Sequence, residues 1–548
     1  MQLTNTSRRR IVLTGFLLTL GISLAQGQLL RPVSFQLAGG DSTLPGLIGN
    51  GISDMKAAGD TIWLGSGHGL SVTRDGGTSF RSFSRQFSDI GYGGVSGLAV
   101  AGDTVWAAFA VDSLVGEESA QTGVGIARTM DGGESWTRLP QPMDTLKWHY
   151  IWNDDQTQII DSTVQVYSTI RVFGQDISAV DVVTPIKNVT FDLAYDGKWL
   201  WAASFAGGLR RSGDLGETWQ RVLLPWDNAT RLDSALLVEL AGQIAADTVG
   251  TRQYALDPVL HLNHRVFSVI AWDDTVWVGT AGGINVSYDG GRSWQHMSSS
   301  TTNMSGNWVV ALHRQQRNDG RAVIWASTVT TGGSEVTGLS YHYEDEVGNY
   351  WYSTLSGFRI HNFASTDEAI YAAGELGLFK SKDGDHFASF PPIRSADGST
   401  NIFSDAAYSA LVRSDGAVWV GTGDGLAITY NEGLTWEIEK AQAETKDQEL
   451  IAYPNPFFPY HSKQLQGEGH LIIQYEVKAG ESLSLKVFDW AMSEVVTLLD
   501  GVSAALTGSQ ESYWTGRNST GHRVANGTYF IQLKQGEQVT WTKVMVIN

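Results

Sequence analysis

A short strand-like sequence recurs seven times along this chain, and no other feature constrains its fold as strongly. Each copy alternates apolar with small or polar residues, as in Asp60–Ser66 and Asp274–Thr280. The central aromatic residues of the copies are Trp63, Trp106, Trp201, Trp277, Trp325, Tyr371 and Trp419. This alternation predicts β-strands with both faces packed, and its repetition predicts a repeat architecture.

A second sequence follows most copies of the first: Ser or Thr, then Asp two residues later, then Gly, then a closing Trp or Phe. Clear copies are Thr73–Phe80, Thr129–Trp136, Ser212–Trp219 and Ser287–Trp294, and degenerate copies are Ser381–Phe387 and Thr429–Trp436. The fifth repeat has lost it, around residues 345–351. Such a sequence predicts a hairpin turn, in which the carboxylate and the hydroxyl accept hydrogen bonds from turn N–H groups and Gly adopts a positive φ.

The second sequence resembles the Asp-box of bacterial neuraminidase repeats, and the first resembles the propeller repeats of sensor-type regulators. Together these resemblances cover about residues 49–440. They imply a β-propeller of seven four-stranded blades, in which each blade packs against its neighbours. The expected fold class is therefore all-β: a seven-bladed propeller followed by a small immunoglobulin-like β-sandwich.

The Asp-box aspartates form a row of acids that could suggest catalysis or calcium binding. They are Asp75, Asp131, Asp214, Asp289 and Asp383. No Asp-x-Asp-x-Asp-Gly spacing supports a calcium loop. We predict that these residues stabilise turns on one rim of the propeller, with no catalytic residue, metal site or cofactor.

Three insertions interrupt the repeats at residues 110–122, 140–187 and 225–265. The first extends a turn between the second and third strands of a blade, and the other two are crossovers between blades. The strand order sends all three to the face opposite the Asp-boxes. Long insertions in a compact fold are often functional. We therefore predict that a ligand binds this face, near blades two to four.

Aromatic residues in the insertions are the candidate binding residues: Trp148, His149, Tyr150, Trp152 and Trp226. Flat amphipathic side chains at this density suit stacking on a sugar or anchoring a peptide. The alternative is that they fix the insertions onto the propeller. In the second insertion, residues 234–246 have helical spacing, with Ser234 as a possible N-cap.

Residues 441–451 are expected to form a linker, and residues 452–548 alternate as short strands of an antiparallel sandwich. The module begins Tyr453-Pro-Asn-Pro-Phe457 and contains the turn-rich stretch Trp514–Phe530. Both resemble the C-terminal sorting domain of type IX secretion cargo, and the second also resembles the immunoglobulin-like domain of flagellar hook-capping proteins. The resemblance implies that the secretion or sorting machinery is a partner of this module.

The first 27 residues have the order of a signal peptide, with basic Arg8–Arg10 before apolar Ile11–Leu24. Residues 28–48 would then form a lead segment. Sec export is the simpler interpretation, and Ser7-Arg8-Arg9 leaves the twin-arginine route open. No later apolar run is long enough to span a membrane. The expected location is extracellular or on the outer surface of a Gram-negative-type bacterium.

Charge and missing motifs limit the function further. The formal net charge of −19 argues against a nucleic-acid partner, and the absence of Cys excludes disulfides and thiolate sites. The favoured function is a non-catalytic binding propeller that takes a glycan or a surface protein. The alternatives are a glycoside hydrolase of sialidase-like or xyloglucanase-like type and a structural surface-layer component. The usual Arg-Ile-Pro signature of sialidases is absent, since Arg359-Ile360-His361 does not match it.

Overall fold

The structure is a computed structural model. It describes residues 44–548 apart from 85–89, 117, 146, 153–158, 166, 247–260, 346–349, 396–399, 442–449, 461–463, 466 and 505–506. The predicted signal peptide and most of the lead and linker segments lie outside the described residues. In the described ranges, no helix is long and apolar enough to cross a membrane.

The fold is all-β, as predicted, and consists of antiparallel sheets. Seven sheets follow one another between residues 44 and 439. Sheet 1 contains β1 (Leu44–Pro45), β2 (Ile52–Ala58), β3 (Thr61–Ser66), β4 (Gly69–Thr73) and β5 (Arg81–Phe83). Sheet 2 contains β6 (Gly94–Ala101), β7 (Thr104–Val115), β8 (Glu118–Thr129) and β9 (Thr137–Leu139).

Two hairpins precede sheet 3: β10 (Lys147–Trp152) with β11 (Ile159–Gln165), and β12 (Tyr167–Val172) with β13 (Gln175–Val180). Sheet 3 contains β14 (Thr190–Tyr195), β15 (Leu200–Ser204), β16 (Gly208–Ser212) and β17 (Gln220–Arg221). Next come β18 (Arg231–Leu232), helix α1 (Ser234–Ala246) and a 3₁₀ turn (Leu262–His264). Sheet 4 joins β18 to β19 (Val266–Trp272), β20 (Thr275–Thr280), β21 (Gly283–Ser287) and β22 (Trp294–Met297).

The last three of these sheets have four strands each. Sheet 5 contains β23 (Trp308–Gln316), β24 (Ala322–Val329), β25 (Gly338–Tyr343) and β26 (Tyr352–Thr354). Sheet 6 contains β27 (Ile360–Ser365), β28 (Ile370–Gly374), β29 (Gly377–Ser381) and β30 (Ala388–Ser389). Sheet 7 contains β31 (Ala407–Val412), β32 (Val418–Thr422), β33 (Gly425–Thr429) and β34 (Glu437–Glu439).

The repeated aromatic sequence forms the second main strand of each sheet, and its central residue is buried. Six tryptophans in this position are less than 2% exposed: Trp63, Trp106, Trp201, Trp277, Trp325 and Trp419. For the fourth repeat, the alternation in the sequence predicts strands at residues 266–272, 275–280, 284–288 and 293–297, and β19 to β22 agree with them to within one residue at each end. The alternation placed these strands, and β20 and β21 are buried on both faces as it predicts.

The first full strand of each sheet contacts its counterparts in the two neighbouring sheets, so that β2, β6, β14, β19, β23, β27 and β31 form a closed ring. Serine hydroxyls connect neighbouring members of the ring. Ser53 donates to the carbonyl of Val95 (3.0 Å), and Ser96 donates to that of Thr190 (2.7 Å). Ser409 of sheet 7 donates to the carbonyl of Ile52 in sheet 1 (3.1 Å) and so closes the ring. This arrangement of sheets around an axis is a β-propeller.

The carboxylate in each Asp-box turn accepts hydrogen bonds from other residues of the same turn. Asp131 accepts bonds from the Ser135 amide (2.9 Å), the Ser135 hydroxyl (2.5 Å) and the Thr129 hydroxyl (2.7 Å). The Gly133 amide donates to the Thr129 hydroxyl (2.9 Å), with Gly133 at φ 96°. Corresponding bonds are made by Asp75, Asp214, Asp289 and, with His386 as partner, Asp383.

Arginines connect the Asp-box of one sheet to that of the next. Arg74 donates to the carbonyl of Gly132 (2.6 Å), Arg128 to that of Leu215 (3.1 Å) and Arg211 to that of Gly290 (2.5 Å). Each acceptor lies inside the box of the following sheet. These bonds add contacts between successive sheets at this rim, from sheet 1 to sheet 4.

The carboxylates of these turns give a prediction about pH. Hydrogen bonds from the Ser135 side chain and amide lower the pKa of Asp131 from 3.8 to about 2. A carboxyl whose pKa is lowered by folding contributes stability above its unfolded pKa and loses it as the pH falls through the folded value. We expect Asp131→Asn to flatten the fall in melting temperature between about pH 4 and pH 2. The exposed Asp112→Asn is the control, and equal flattening in both variants would contradict the prediction.

The insertions contact one another and sheet 3. The β7–β8 hairpin meets the first crossover where Thr122 bridges Ile186 and the Gly123 amide donates to the carbonyl of Pro185 (3.0 Å). Helix α1 of the second crossover contacts β13 of the first. The helix has the predicted bounds, but Ser234 is not its cap. Asp233 caps it instead, accepting a bond from the Leu236 amide (3.0 Å).

A buried ion pair fixes the first insertion to sheet 3. Arg210 of β16 is 2% exposed, and its guanidinium lies 2.9 Å from Asp144 Oδ2. The Val182 amide also donates to Asp144 (2.8 Å). Burial opposes the charge of this carboxyl, but the hydrogen bond and charge of Arg210 outweigh it and lower the pKa of Asp144. The crossover is thus tied to the propeller at its base.

The C-terminal residues form two further antiparallel sheets around one core. Sheet 8 contains β35 (Leu450–Tyr453), β38 (Leu471–Val477) and β41 (Gly508–Trp514). Strands β36 (Gln464–Leu465) and β37 (Glu468–Gly469) form a small hairpin. Sheet 9 contains β39 (Ser482–Phe488), β40 (Glu494–Ser503), β42 (Gly527–Gln535) and β43 (Gln538–Val546). Alternate residues of both sheets, such as Leu485 and Ile473, fill the core between them.

Candidate functional site

Four of the predicted binding residues lie on strand β10. Trp148 is opposite Val164 of β11, His149 is opposite Thr163, and Tyr150 is opposite Ser162. Trp152 pairs with Ile159 after a register shift. The side chains of this hairpin lie outside the described residues. The binding role of these four residues, which we call the aromatic platform on β10, therefore stays a prediction.

Trp226, the fifth predicted residue, follows the last strand of sheet 3. Its side chain is half-buried and packs against the apolar cluster that includes Leu224, Leu232 and Trp294. The Ala229 amide donates to its carbonyl (2.8 Å). These contacts favour the alternative that Trp226 anchors the insertion, because a side chain held in the core presents less surface to a ligand.

Each innermost strand contains one irregular position near its start, where its pairing with the next strand shifts by one residue. These strands start on the side of the propeller that carries the crossovers, so the seven residues surround its axis at that end. We call them the mouth ring: Ser53, Ser96, Phe191, Phe267, Val310, His361 and Tyr408. All seven are half-buried. Such bulges are frequent next to binding sites, where they redirect a side chain.

The part of the mouth ring that lies next to the insertions consists of aromatic residues, and further aromatic side chains pack against it. The ring of Phe267 lies 5.7 Å from Phe191, 5.6 Å from Phe205 and 5.6 Å from Trp308, measured between centroids. Arg265 lies over Phe205, 5.4 Å from its centroid. These aromatic residues, the mouth cluster, extend over sheets 3, 4 and 5. A second pair, His361 and Tyr408, lies 5.3 Å apart on sheets 6 and 7.

Deeper along the axis the ring of strands carries charged groups. Lys56 Nζ lies 3.9 Å from Asp54 Oδ1, and the Asn362 amide donates to the same oxygen (3.1 Å). Asp192 accepts bonds from the amides of Leu193 (2.9 Å) and Val269 (3.0 Å). Burial raises the pKa of Asp192 to about 6, although the Lys56 charge opposes this.

The arrangement suits binding of an apolar or aromatic group at the mouth, with polar groups available below it. Among the described residues, no group of three or more His, Asp or Glu is placed to hold a metal ion. Sequence reasoning missed the mouth cluster because it followed the residues that repeat. The signal was the opposite: one position near the start of the first strand does not repeat, and is Ser, Ser, Phe, Phe, Val, His and Tyr in successive sheets.

The sequence matches no family model and no curated protein. Solved structures similar to this chain include PorZ, an essential bacterial surface component of the type IX secretion system of Porphyromonas gingivalis (12% identity, 91% of this chain, 75% of that chain, TM-score 0.28). YCF48 from Cyanidioschyzon merolae is similar over 69% of this chain and 92% of its own (14% identity, TM-score 0.37).

The extracellular domain of a putative hybrid two-component system from B. thetaiotaomicron is similar over 91% of this chain and 74% of its own (11% identity, TM-score 0.26). The neighbours thus include a surface component and an extracellular domain.

Proposed function

We propose that this protein is a secreted or surface-displayed binding propeller without catalytic activity. Its seven sheets are the blades, and its ligand binds the crossover face at the mouth cluster. The observation that carries the proposal is the set of half-buried aromatic rings contributed by three neighbouring sheets beside the insertions. A binding site assembled from several blades can be rigid, because the ring of strands fixes the relative positions of its parts.

The C-terminal sandwich is proposed to be an immunoglobulin-like sorting or attachment domain that the secretion machinery recognises. Its support is the two-sheet core, together with the sequence resemblance at Tyr453–Phe457 and Trp514–Phe530. The propeller is the cargo of this module. Export would be started by residues 1–27 and completed by residues 452–548.

The mouth cluster is tested by Phe267→Ala. Removing the central ring of the cluster is expected to weaken binding by about tenfold or more, as for a buried aromatic anchor in an interface. Binding is measured on a glycan array and a panel of purified surface proteins. Tyr288→Ala is the matched control, because Tyr288 is an exposed aromatic residue in the Asp-box of the same sheet, at the opposite rim. Equal loss in both variants, or unchanged binding by Phe267→Ala, would contradict the proposal.

The platform on β10 has a separate test. In a double variant, Trp148→Ala and Trp152→Ala, a binding role predicts weaker binding to the same panel with an unchanged melting temperature. A large drop in melting temperature, or no change in either quantity, would mean that these residues do not form the binding surface.

A further inference from the structure

The C-terminal module contacts the propeller on the crossover face of sheet 7. The contacting propeller residues are Phe403 in the crossover before β31, Asp424 in the turn after β32, and Lys440 after β34. On the module, the contacts come from sheet 8. They include Tyr513 and Glu511 of β41 and His470 just before β38.

The centre of the contact is buried. Leu471 and Ile473 lie in the sandwich core, so Ile472 lies on the opposite, outer face of sheet 8. Ile472 is nevertheless 0% exposed. Phe403 is also buried, and its ring lies 5.0 Å from His470 and 4.6 Å from Tyr513. The propeller reaches this part of the outer face, because Phe403 contacts Tyr513, the residue that pairs with Ile472 on β41.

A charge network crosses the same contact. Lys440 Nζ lies 3.1 Å from Asp424 Oδ2 on the propeller and 2.9 Å from Glu511 Oε2 on the module. The Tyr453 hydroxyl donates to Glu511 (3.3 Å), and the Phe403 amide donates to Asp424 (2.9 Å). The side chains of Asp424, Lys440 and Glu511 are 0%, 9% and 15% exposed. Burial opposes the charge of Lys440, but the two carboxylates outweigh it and raise its pKa.

We propose that Lys440 is an electrostatic latch that holds the C-terminal module on the crossover face of the propeller. Without its ammonium group, two buried carboxylates would face each other with no cation between them. Breaking a buried ion pair from one side is costly, because the remaining charge stays desolvated. The module therefore stays docked as long as the charge of Lys440 balances the two carboxylates that it bridges.

The latch also determines which surface of the module is available. While the module is docked, the outer face of sheet 8 around Ile472 is occupied. Sheet 9 remains accessible to a partner, with Trp541 and Met545 exposed on β43. A partner that recognises the outer face of sheet 8 must therefore compete with the propeller.

The test uses the full chain with two spin labels. The sequence has no Cys, so labels can be placed at Leu434→Cys on the propeller and Trp490→Cys on the module, both more than 80% exposed. Double electron–electron resonance is expected to give one narrow distribution of distances between the two labels. Lys440→Met is expected to broaden it, by raising the undocked population about a hundredfold or more.

Two further variants separate the latch from a general loss of structure. The triple variant Asp424→Asn, Lys440→Met and Glu511→Gln removes all three charges at nearly constant shape, and it is expected to restore the narrow distribution. Lys380→Met breaks a partly exposed ion pair with Glu432 and is expected to leave it narrow. Any of four results overturns the proposal. The distance distribution is already broad in the labelled chain that keeps Lys440, or it stays narrow in Lys440→Met. Alternatively, it stays broad in the triple variant, or Lys380→Met broadens it as much as Lys440→Met does.

Discussion

Trp294→Ala is expected to lower the free energy of unfolding of the propeller by about 3–5 kcal/mol. Trp294 closes the Asp-box of sheet 4, begins β22 and is 2% exposed. It packs in the apolar cluster that contains Trp201 of sheet 3 and Leu232 of the second insertion. Its removal would therefore leave a cavity where two sheets and an insertion meet, and rigid strands collapse poorly into such a space.

The measurement is equilibrium unfolding in urea, followed by far-ultraviolet circular dichroism. Trp490→Ala is the matched control, because Trp490 is 81% exposed on the module and its loss leaves no cavity. We expect the control to change the free energy of unfolding by less than about 0.5 kcal/mol. A loss of less than about 1 kcal/mol in Trp294→Ala would mean that sheets 3 and 4 are not packed around this residue.

Deletion of residues 452–548 is expected to abolish delivery to the outer surface and to leave the propeller in the periplasm. The reason is that the proposed sorting module is lost while the proposed signal peptide remains. Cell fractionation with antibody detection on intact cells measures the result. Unchanged surface delivery of the truncated chain would contradict the sorting proposal.

The truncation also uncovers Phe403 and removes Glu511 from the latch, so a folding defect must be separated from a sorting defect. Lys440→Met in the full chain provides that control, since it weakens docking but keeps the module. If the full-length variant is delivered normally, docking is not required for sorting. If it is retained in the periplasm like the truncated chain, the effect of the truncation is assigned to docking, and the sorting proposal loses its support.

The strands of the propeller could be predicted closely because their signal is local. The repeat copy Asp274–Thr280 contains the whole of β20, since the two buried faces and the flanking turns of this strand lie within a dozen residues. The helix at Ser234–Ala246 was also placed correctly, although its cap was assigned one residue too late. Periodicity shows where an element lies, but the cap depends on the geometry of a single hydrogen bond.

The mouth cluster and the latch could not be predicted in this way, because both join residues far apart in the chain. Phe191 and Trp308 meet through Phe267 only when three sheets are assembled. Lys440 and Glu511 belong to different domains, and nothing in the sequence around either indicates a buried partner. The bulges that define the mouth ring also depend on pairing between strands, which a period-two pattern does not encode.

The ring closes where sheet 7 meets sheet 1, and each of these sheets is built from its own stretch of chain. Most strand pairs therefore join strands that follow one another in the chain, and such pairs require only short loop closures. A chain that leaves a translocation channel from its N-terminus could complete sheets 1 to 6 in order. The contact between Ser409 and Ile52 would come last, since it requires the largest loop closure in the propeller. Closing the ring would thus be the slow step of maturation after export, and an unclosed propeller would be its longest-lived intermediate.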